Sequence, residues 1–333
     1  MLRFQNEEEY RQYLYKKDLK KTANGLGAVL LVIFALEIVL SFLITLILKG
    51  SGTTSAALSD SVLTLLENGL LSAITFFFVM LVYVLIKKRS FSALFPFEKI
   101  GAKKLFMLCT IGIAVSLMSN IAPTMLTNVF GLFGLSNTGG DFDFGNSAPS
   151  VLMYYLTVAI MPAFTEEFAF RGVILGSLRK YSDGLALVVS SALFALMHGN
   201  FVQIPFTFCC GLMFGLLVIK TNSMLPSIIV HFLNNGLSVT FDLLYQYQVM
   251  SATMVNICYG AIILITSILA LIFIKKFIKE DDRFFRLQRA DDVIPYRDKL
   301  KSVAGSPTLI SFAVVMILFS LYILFIPFIP YLM

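Results

Sequence analysis

The residues of this chain that could do chemistry inside a membrane lie close together along the sequence. Two adjacent carboxylates and an arginine occur at Glu166, Glu167 and Arg171, inside an apolar stretch. The two histidines of the chain, His198 and His231, follow in further apolar stretches. An ionisable side chain at membrane depth costs about 3 kcal/mol, so a chain that keeps several of them there is using them. The favoured use is proton transfer by a base that activates water, beside groups that stabilise negative charge.

Helical spacing relates the carboxylates to the arginine. Glu167 and Arg171 are four residues apart with the acid first, which is the favourable order for an ion pair on one helix face. Glu166 is turned by about 100° from Glu167 and is left free. Pro162 leaves a carbonyl among Leu156 to Ala159 without its donor and can kink the helix where the carboxylates begin.

The carboxamide of Asn235 lies close in sequence to the second histidine. Because His231 and Asn235 are four residues apart, both point the same way from one helix. At 1.5 Å per residue from the basic ends of their segments, Glu166 and His198 lie about 20 Å deep, Asn235 about 14 Å and His231 about 8 Å. Helix tilt blurs these depths, so all four side chains can meet in the middle of the membrane. Singly, a membrane histidine or a Glu–Arg pair is more often a contact between helices, but their convergence predicts a site.

Composition fixes the class of protein that must position these groups. With 58% hydrophobic and 14% charged residues, the chain is not an ordinary water-soluble protein. Apolar runs long enough to cross a bilayer recur along the sequence, and they predict an all-α polytopic transmembrane helical bundle of about nine spans. The predicted spans are roughly 25–49, 62–86, 105–134, 151–178, 184–199, 203–219, 225–247, 252–276 and 307–332. The fifth and sixth are short and form a helical hairpin.

Lysines and arginines alternate between the predicted loops. The N-terminal tail and the even-numbered loops are basic, whereas the odd-numbered loops have no basic residue apart from Lys49 at the end of the first span. The positive-inside rule then predicts a multi-pass protein, of a bacterial plasma membrane, with a cytoplasmic N-terminus and an external C-terminus. The net charge of +6 indicates topology and contact with anionic membrane lipid, and no nucleic-acid partner is expected.

The chain divides into four parts without a soluble module. We predict a cytoplasmic N-terminal tail (1–24), three transmembrane helices (25–150), the helices that carry the chemistry (151–248), and C-terminal helices (249–333) with a basic cytoplasmic loop (275–305). The acidic, glycine-rich external loop 135–150 is interpreted as a flexible connector and not as a cation site. Glu37 and Glu67 are isolated carboxylates in the first two spans.

Three ordered motifs resemble those of the CAAX protease and bacteriocin-processing family of intramembrane endopeptidases, also called the Abi or type II CAAX prenyl endopeptidase family. The family pattern is E-E-x-x-x-R, then F-x-x-x-H, then H-x-x-x-N or D on successive core helices. This chain has Glu166-Glu167-x-x-x-Arg171, Phe194-x-x-x-His198 and His231-x-x-x-Asn235. The resemblance covers about 150–248. Such family members look like eight-helix proteins, so the ninth span is a departure, expected to be a C-terminal addition to an eight-helix core.

The resemblance implies hydrolysis of a peptide bond in a membrane-associated peptide or protein substrate. Glu166 would be the general base, and Glu167 with Arg171 would orient it or grip the substrate. His198 would hold the water. Signatures of other intramembrane proteases, H-E-x-x-H, G-x-G-D and G-x-S-G, do not occur in the sequence.

The number of available ligands indicates whether a metal ion takes part. An open zinc site commonly has three protein ligands, and Glu166, His198 and His231 could supply them. Glu166 would then no longer be free as the base. With Glu166 as base, His231 and Asn235 remain to bind water or polarise the scissile carbonyl, and a carboxamide is a poor ligand for zinc. We therefore expect no tightly bound cofactor. The alternative is a zinc ion bound by Glu166, His198 and His231.

A non-catalytic role is the alternative from a different class. Glu and His also relay protons in membrane transporters, and a bacteriocin self-immunity factor could act by binding alone. The chain shows no internal repeat of the kind that inverted-topology transporters have, which argues against transport. Glu166→Gln separates the classes, since it preserves volume and hydrogen bonding while removing the base.

Overall fold

The architecture is a bundle of helices. The computed structural model describes residues 4, 6–50, 69–133, 135, 147–287 and 293–326. In these ranges there is no strand, only an isolated antiparallel bridge between Phe97 and Ser223. The helices are α1 (Glu7–Gly50), α2 (Leu71–Ile86), α3 (Ala102–Ser119), α4 (Ile121–Leu132), α5 (Ala148–Arg179), α6 (Asp183–Met197), α7 (Ile204–Thr221), α8 (Leu225–Gln246), α9 (Ala252–Glu280), α10 (Tyr296–Ala304) and α11 (Pro307–Phe325).

The predicted all-α membrane bundle is confirmed. Within the described ranges, seven helical segments are long and apolar enough to cross a membrane, and α2 and α6 are shorter apolar helices. Each of the nine predicted spans corresponds to one of these segments, α3 and α4 forming one span that is broken at Asn120. The helix of the first span begins already at Glu7, and α10 lies within the predicted loop 275–305. Glu67 and most of the loop 135–150 lie outside the described residues.

Three apolar clusters of buried residues lie in the described part of the chain. One joins α1, α2, α5, α6 and α11, the second joins α3, α7, α8 and α9, and the third, around Tyr154, Val239 and Leu243, joins α5 to α8. The predicted hairpin is present as α6 and α7, which pack closely because glycine removes the side chain at the crossing. A Cβ at Gly211 would lie 2.9 Å from the Cα of Ser191. Small residues of this kind let membrane helices approach each other's backbones.

The ninth span packs along α1. A Cβ at Gly27 would lie 2.5 Å from the backbone nitrogen of Leu309, so glycine is needed for this approach. Thr308 donates a hydrogen bond to the carbonyl of Asn24 at 2.8 Å, and Ser306 donates to the side-chain oxygen of Asn24 at 2.6 Å. The helix predicted as a C-terminal addition therefore holds α1 against the bundle.

Polar contacts join α1, the turn after α5 and α10 at one end of the bundle. Lys16 lies 2.8 Å from Asp298, and Lys180 lies 2.7 Å from Asp18. The hydrogen bond from Lys16 lowers the pKa of the Asp298 carboxyl. Lys299 is buried and donates to the carbonyl of Tyr181 at 2.9 Å. The basic segments 1–24 and 275–305 thus meet at the same end as the α5–α6 turn.

A connection between α2 and α3 fixes the start of α8. The backbone nitrogen of Met224 donates to the carbonyl of Pro96 at 2.8 Å, and that of Glu98 donates to the carbonyl of Asn222 at 3.1 Å. Ser223 and Met224 are buried. The two residues before the helix that carries His231 are therefore packed inside the protein, whereas Leu225, its first residue, is 40% exposed.

Candidate active site

The backbone of α5 is irregular where the carboxylates lie. It is π-helical at Tyr155–Ile160 and at Glu167–Leu175, and such stretches are frequent at functional sites. Pro162 has no N–H for the carbonyl four residues earlier, that of Val158. The Nδ2 of Asn235 donates to this carbonyl at 3.0 Å. The carbonyl that proline leaves free is thus satisfied from α8, which joins two of the helices that carry the motifs.

Glu167 is the buried centre of the polar cluster. Its Oε1 accepts a hydrogen bond from Nδ1 of His231 at 2.9 Å and lies 3.1 Å from a guanidinium nitrogen of Arg171, so the ion pair predicted from spacing is present. The side chains of Glu167 and Arg171 are 0% and 1% exposed. Because His231 donates through Nδ1, its Nε2 is directed away from Glu167.

Arg171 is held by aromatic rings as well as by charge. Its guanidinium lies 4.2 Å from the ring centre of Phe194 and 5.1 Å from that of Phe214. Phe214 also stacks on the imidazole of His231, with ring centres 5.1 Å apart. A cation over an aromatic face is stabilised most where water is excluded. This arrangement places Arg171 behind Glu167, where it neutralises a buried carboxylate.

Glu166 has a different environment from its neighbour. Its Oε2 lies 3.7 Å from Nε2 of His231 and has no hydrogen-bond partner among the described residues. The side chain is 25% exposed. His198, the residue that ends α6, donates from Nδ1 to the carbonyl of Phe194 at 2.8 Å, and its Nε2 is left for other partners. Glu166 and both Nε2 atoms are therefore the groups available to a ligand.

These groups share one cavity. A cavity of about 540 Å³ lies between α2, α5, α6, α7 and α8. Four of the six predicted site residues line it, namely Glu166, His198, His231 and Asn235. The other two, Glu167 and Arg171, lie behind the wall and contact His231 or the aromatic rings.

The sequence motifs missed several polar residues of the cavity, and one of them lies inside the third motif. Asn234 is 6% exposed, lines the cavity and donates to Oδ1 of Asn235 at 3.1 Å. It follows His231 by three residues, and residues three apart share a helix face. Helical spacing could therefore have indicated Asn234 as well as Asn235.

Glu166, His198 and His231 are the side chains that could bind a metal ion. Within the ranges that the structure describes, no group of three His, Cys, Asp or Glu side chains lies close enough to hold a metal. Glu166, His198 and His231 line the same cavity without converging on one point at ligating distance.

The described part of the chain is thus a helical membrane protein whose cavity collects a carboxylate, two imidazoles and three carboxamides inside the bundle. Residues 148–237 match the type II CAAX prenyl endopeptidase Rce1-like family. The membrane-embedded CAAX protease MroQ of Staphylococcus aureus (strain USA300) is 35% identical over 113 residues, which are 32% of this chain and 46% of that relative. No solved structure matches. The matched residues include all three motifs, and the resemblance to the CAAX protease family is confirmed for this part of the chain.

Proposed function

We propose that this protein is an intramembrane endopeptidase that hydrolyses a peptide bond of a membrane-associated peptide or protein with water activated by Glu166. The observation that carries the proposal is the division of labour between adjacent carboxylates. Glu167 is fully buried and is engaged by Arg171 and His231, whereas the side chain of Glu166 is 25% exposed and lines the cavity. A free carboxylate beside fixed imidazoles is suited to general-base catalysis.

The reaction begins with a water molecule between Glu166 and His198. The water donates one proton to Glu166 and a hydrogen bond to Nε2 of His198, while its oxygen attacks the carbonyl carbon of the substrate. The resulting oxyanion accepts a hydrogen bond from the second N–H of the Asn235 amide. His231 adds another from Nε2 when its imidazole carries both protons. The carbon–nitrogen bond then breaks, the proton on Glu166 passes to the leaving nitrogen, and an amine and a carboxylic acid are released.

Glu167 and Arg171 act as positioning residues in this proposal. The hydrogen bond from Nδ1 of His231 to Glu167 orients the imidazole and fixes which nitrogen faces the cavity. Arg171 supplies the charge that allows Glu167 to stay ionised in a dry interior. Of the two roles that the resemblance implies for this pair, orientation is therefore favoured over contact with substrate.

We propose a cytoplasmic N-terminus and an external C-terminus. Basic residues dominate the tail and the even-numbered loops, as the positive-inside rule requires of cytoplasmic segments. The pairs Lys16–Asp298 and Lys180–Asp18 support this assignment, because they gather the tail, the α5–α6 turn and α10 at one end of the bundle.

Comparative proteomics of membranes tests the proposal. Cells that contain the intact protein are compared with cells that contain Glu166→Gln, and with a control, Glu280→Gln, whose carboxylate is exposed at the end of α9. We expect peptide bonds that are cleaved in the first and third samples and intact in the second. Identical peptide termini in all three would contradict proteolysis and would favour a transporter or a binding factor.

A further inference from the structure

Many of the polar groups that line the cavity around Glu166 can only accept a hydrogen bond, whereas the carboxamides of Gln203, Asn234 and Asn235 can also donate. Among the described residues, five hydroxyl groups line the cavity, and each donates its proton to another group of the protein. A hydroxyl that already donates its one proton can only accept from a ligand. The five are Ser72, which donates to Glu37; Tyr154, which donates to Asp242; and Thr157, Thr165 and Thr207, which donate to carbonyls one turn earlier in their own helices.

Two of these hydroxyls have a carboxylate behind them. The Oγ of Ser72 lies 2.7 Å from Oε1 of Glu37, and the hydroxyl of Tyr154 lies 3.1 Å from Oδ2 of Asp242. Neither carboxylate lines the cavity, so each acts through the hydroxyl that it orients. Together with Glu166, which does line it, they surround the cavity with acidic groups in an environment where charge is weakly screened.

An unpartnered acceptor also points to a ligand. Asn234 is 6% exposed, and its Nδ2 donates to Asn235, but its Oδ1 has no hydrogen-bond partner among the described residues. A buried carbonyl oxygen without a donor destabilises a protein, and a ligand that brings a donor relieves this. The proteolytic mechanism proposed above does not use Asn234.

No permanently charged cation balances these acceptors, because none of the described residues that line the cavity is lysine or arginine. The nearest guanidinium, that of Arg171, is on the far side of Glu167 and is covered by Phe194 and Phe214. A ligand with several donors and a positive charge is therefore the chemical complement of this wall.

We propose that the cavity selects substrates with a lysine or arginine side chain beside the scissile bond, and that Glu37 and Asp242 create this preference through Ser72 and Tyr154. The proposal rests on the proposed function in taking this cavity as the substrate site. An ammonium group brings three donors and no acceptor, and its hydrogen bonds to these oxygens are charge-assisted. A neutral apolar side chain would give these oxygens no hydrogen-bond donor.

A binding measurement tests this without requiring cleavage. Two labelled, end-capped apolar peptides of about 20 residues carry either lysine or norleucine at the central position. The protein is placed in nanodiscs of uncharged phosphatidylcholine, binding is followed by fluorescence anisotropy, and mass spectrometry checks that the peptides stay intact. We expect the lysine peptide to bind about tenfold more tightly to the unaltered protein.

Variants then locate the preference. Glu37→Gln keeps an acceptor for Ser72 and removes the charge, and should reduce the lysine preference several-fold. Thr207→Val removes one acceptor of the wall and should weaken the lysine peptide alone. Thr266→Val is the matched control: this hydroxyl donates to a carbonyl one turn earlier in α9 and does not line the cavity, so its loss should change nothing.

Equal binding of the two peptides, or no binding of the lysine peptide, would overturn the proposal. So would an unchanged lysine preference in both Glu37→Gln and Thr207→Val. This assay measures affinity and not cleavage, so the two proposals can fail independently. A protein that prefers the lysine peptide but cleaves no substrate would contradict the proposed function and leave the substrate preference standing.

Discussion

Replacing Arg171 by methionine should destabilise the protein and abolish its activity. Methionine keeps much of the length of the side chain and removes its charge. Glu167, which is 0% exposed, would then be balanced by the hydrogen bond from His231 alone. Removing one partner of a buried ion pair costs about 3–5 kcal/mol. Loss of the guanidinium from the face of Phe194 adds about 1 kcal/mol. We expect a fall in unfolding temperature of ~10 °C.

A double variant separates the lost charge from the lost packing. In Glu167→Gln with Arg171→Met, neither charge remains, and a buried pair replaced as a unit is often neutral for stability. The double variant should therefore recover most of the lost stability. It should not recover activity, because His231 then lacks the carboxylate that orients it.

Unfolding can be followed with a thiol-reactive dye, since the chain has no tryptophan. Cys109 and Cys210 are buried and react on unfolding, whereas Cys209 is exposed and is best replaced by serine in the parent protein. The matched control is Arg286→Met, which removes an exposed arginine paired with an aspartate at 3.8 Å. An exposed pair contributes about 0–1 kcal/mol, so this control should unfold like the parent. If Arg171→Met also unfolds like the parent, Arg171 is not the charge that balances Glu167.

Three further predictions follow from the site and the topology. Glu166→Ala and His198→Ala should each abolish cleavage with a near-normal unfolding temperature, because both side chains line the cavity. His231→Ala should abolish cleavage and also lower the unfolding temperature, because it removes a hydrogen bond to buried Glu167. If all three variants unfold the protein and the folded fraction of each still cleaves substrate at the normal rate, these residues have a structural role and not a catalytic one. A reporter fused after Met333 should behave as external, and cytoplasmic behaviour would show that a span is miscounted. Protein purified without a polyhistidine tag should keep its activity after dialysis against a chelator; stoichiometric zinc whose removal ends activity and whose return restores it would instead make Glu166 a ligand.

Interactions within one helix could be predicted from the sequence, and interactions between helices could not. The pair of Glu167 with Arg171 follows from their spacing, and the free carbonyl before Pro162 follows from proline chemistry. The partners from the opposite helix do not follow from either. That His231 also binds Glu167, and that Asn235 supplies the missing donor, depends on how α5 and α8 cross. The periodicity of the sequence does not predict how these two helices cross.

Residue counts along single helices do not give the distance between side chains on different helices. Counting from the basic ends of the spans separates Glu166 from His231 by about 12 Å along the membrane normal, yet their side chains lie 3.7 Å apart. The count treats each span as a regular helix that starts at the membrane surface. The structure departs from this in α5, which is π-helical around the carboxylates, and before α8, where Ser223 and Met224 are buried against the connection between α2 and α3.

The family match covers most of the described wall of the cavity, including the residues that carry the proposed chemistry. All the predicted site residues lie within 148–237. The opposite wall comes from elsewhere in the chain, from Ser72 on α2 with Glu37 of α1 behind it, and α1 is in turn held by α11 through the close approach at Gly27. The groups proposed for the reaction all belong to the matched segment, whereas those proposed for substrate choice come from both parts: Tyr154 and Thr207 lie inside it, and Ser72 with Glu37 lies outside. We therefore expect proteins that share the three motifs to differ in specificity partly through their first two spans, and in this chain the ninth span packs against the helix that carries Glu37.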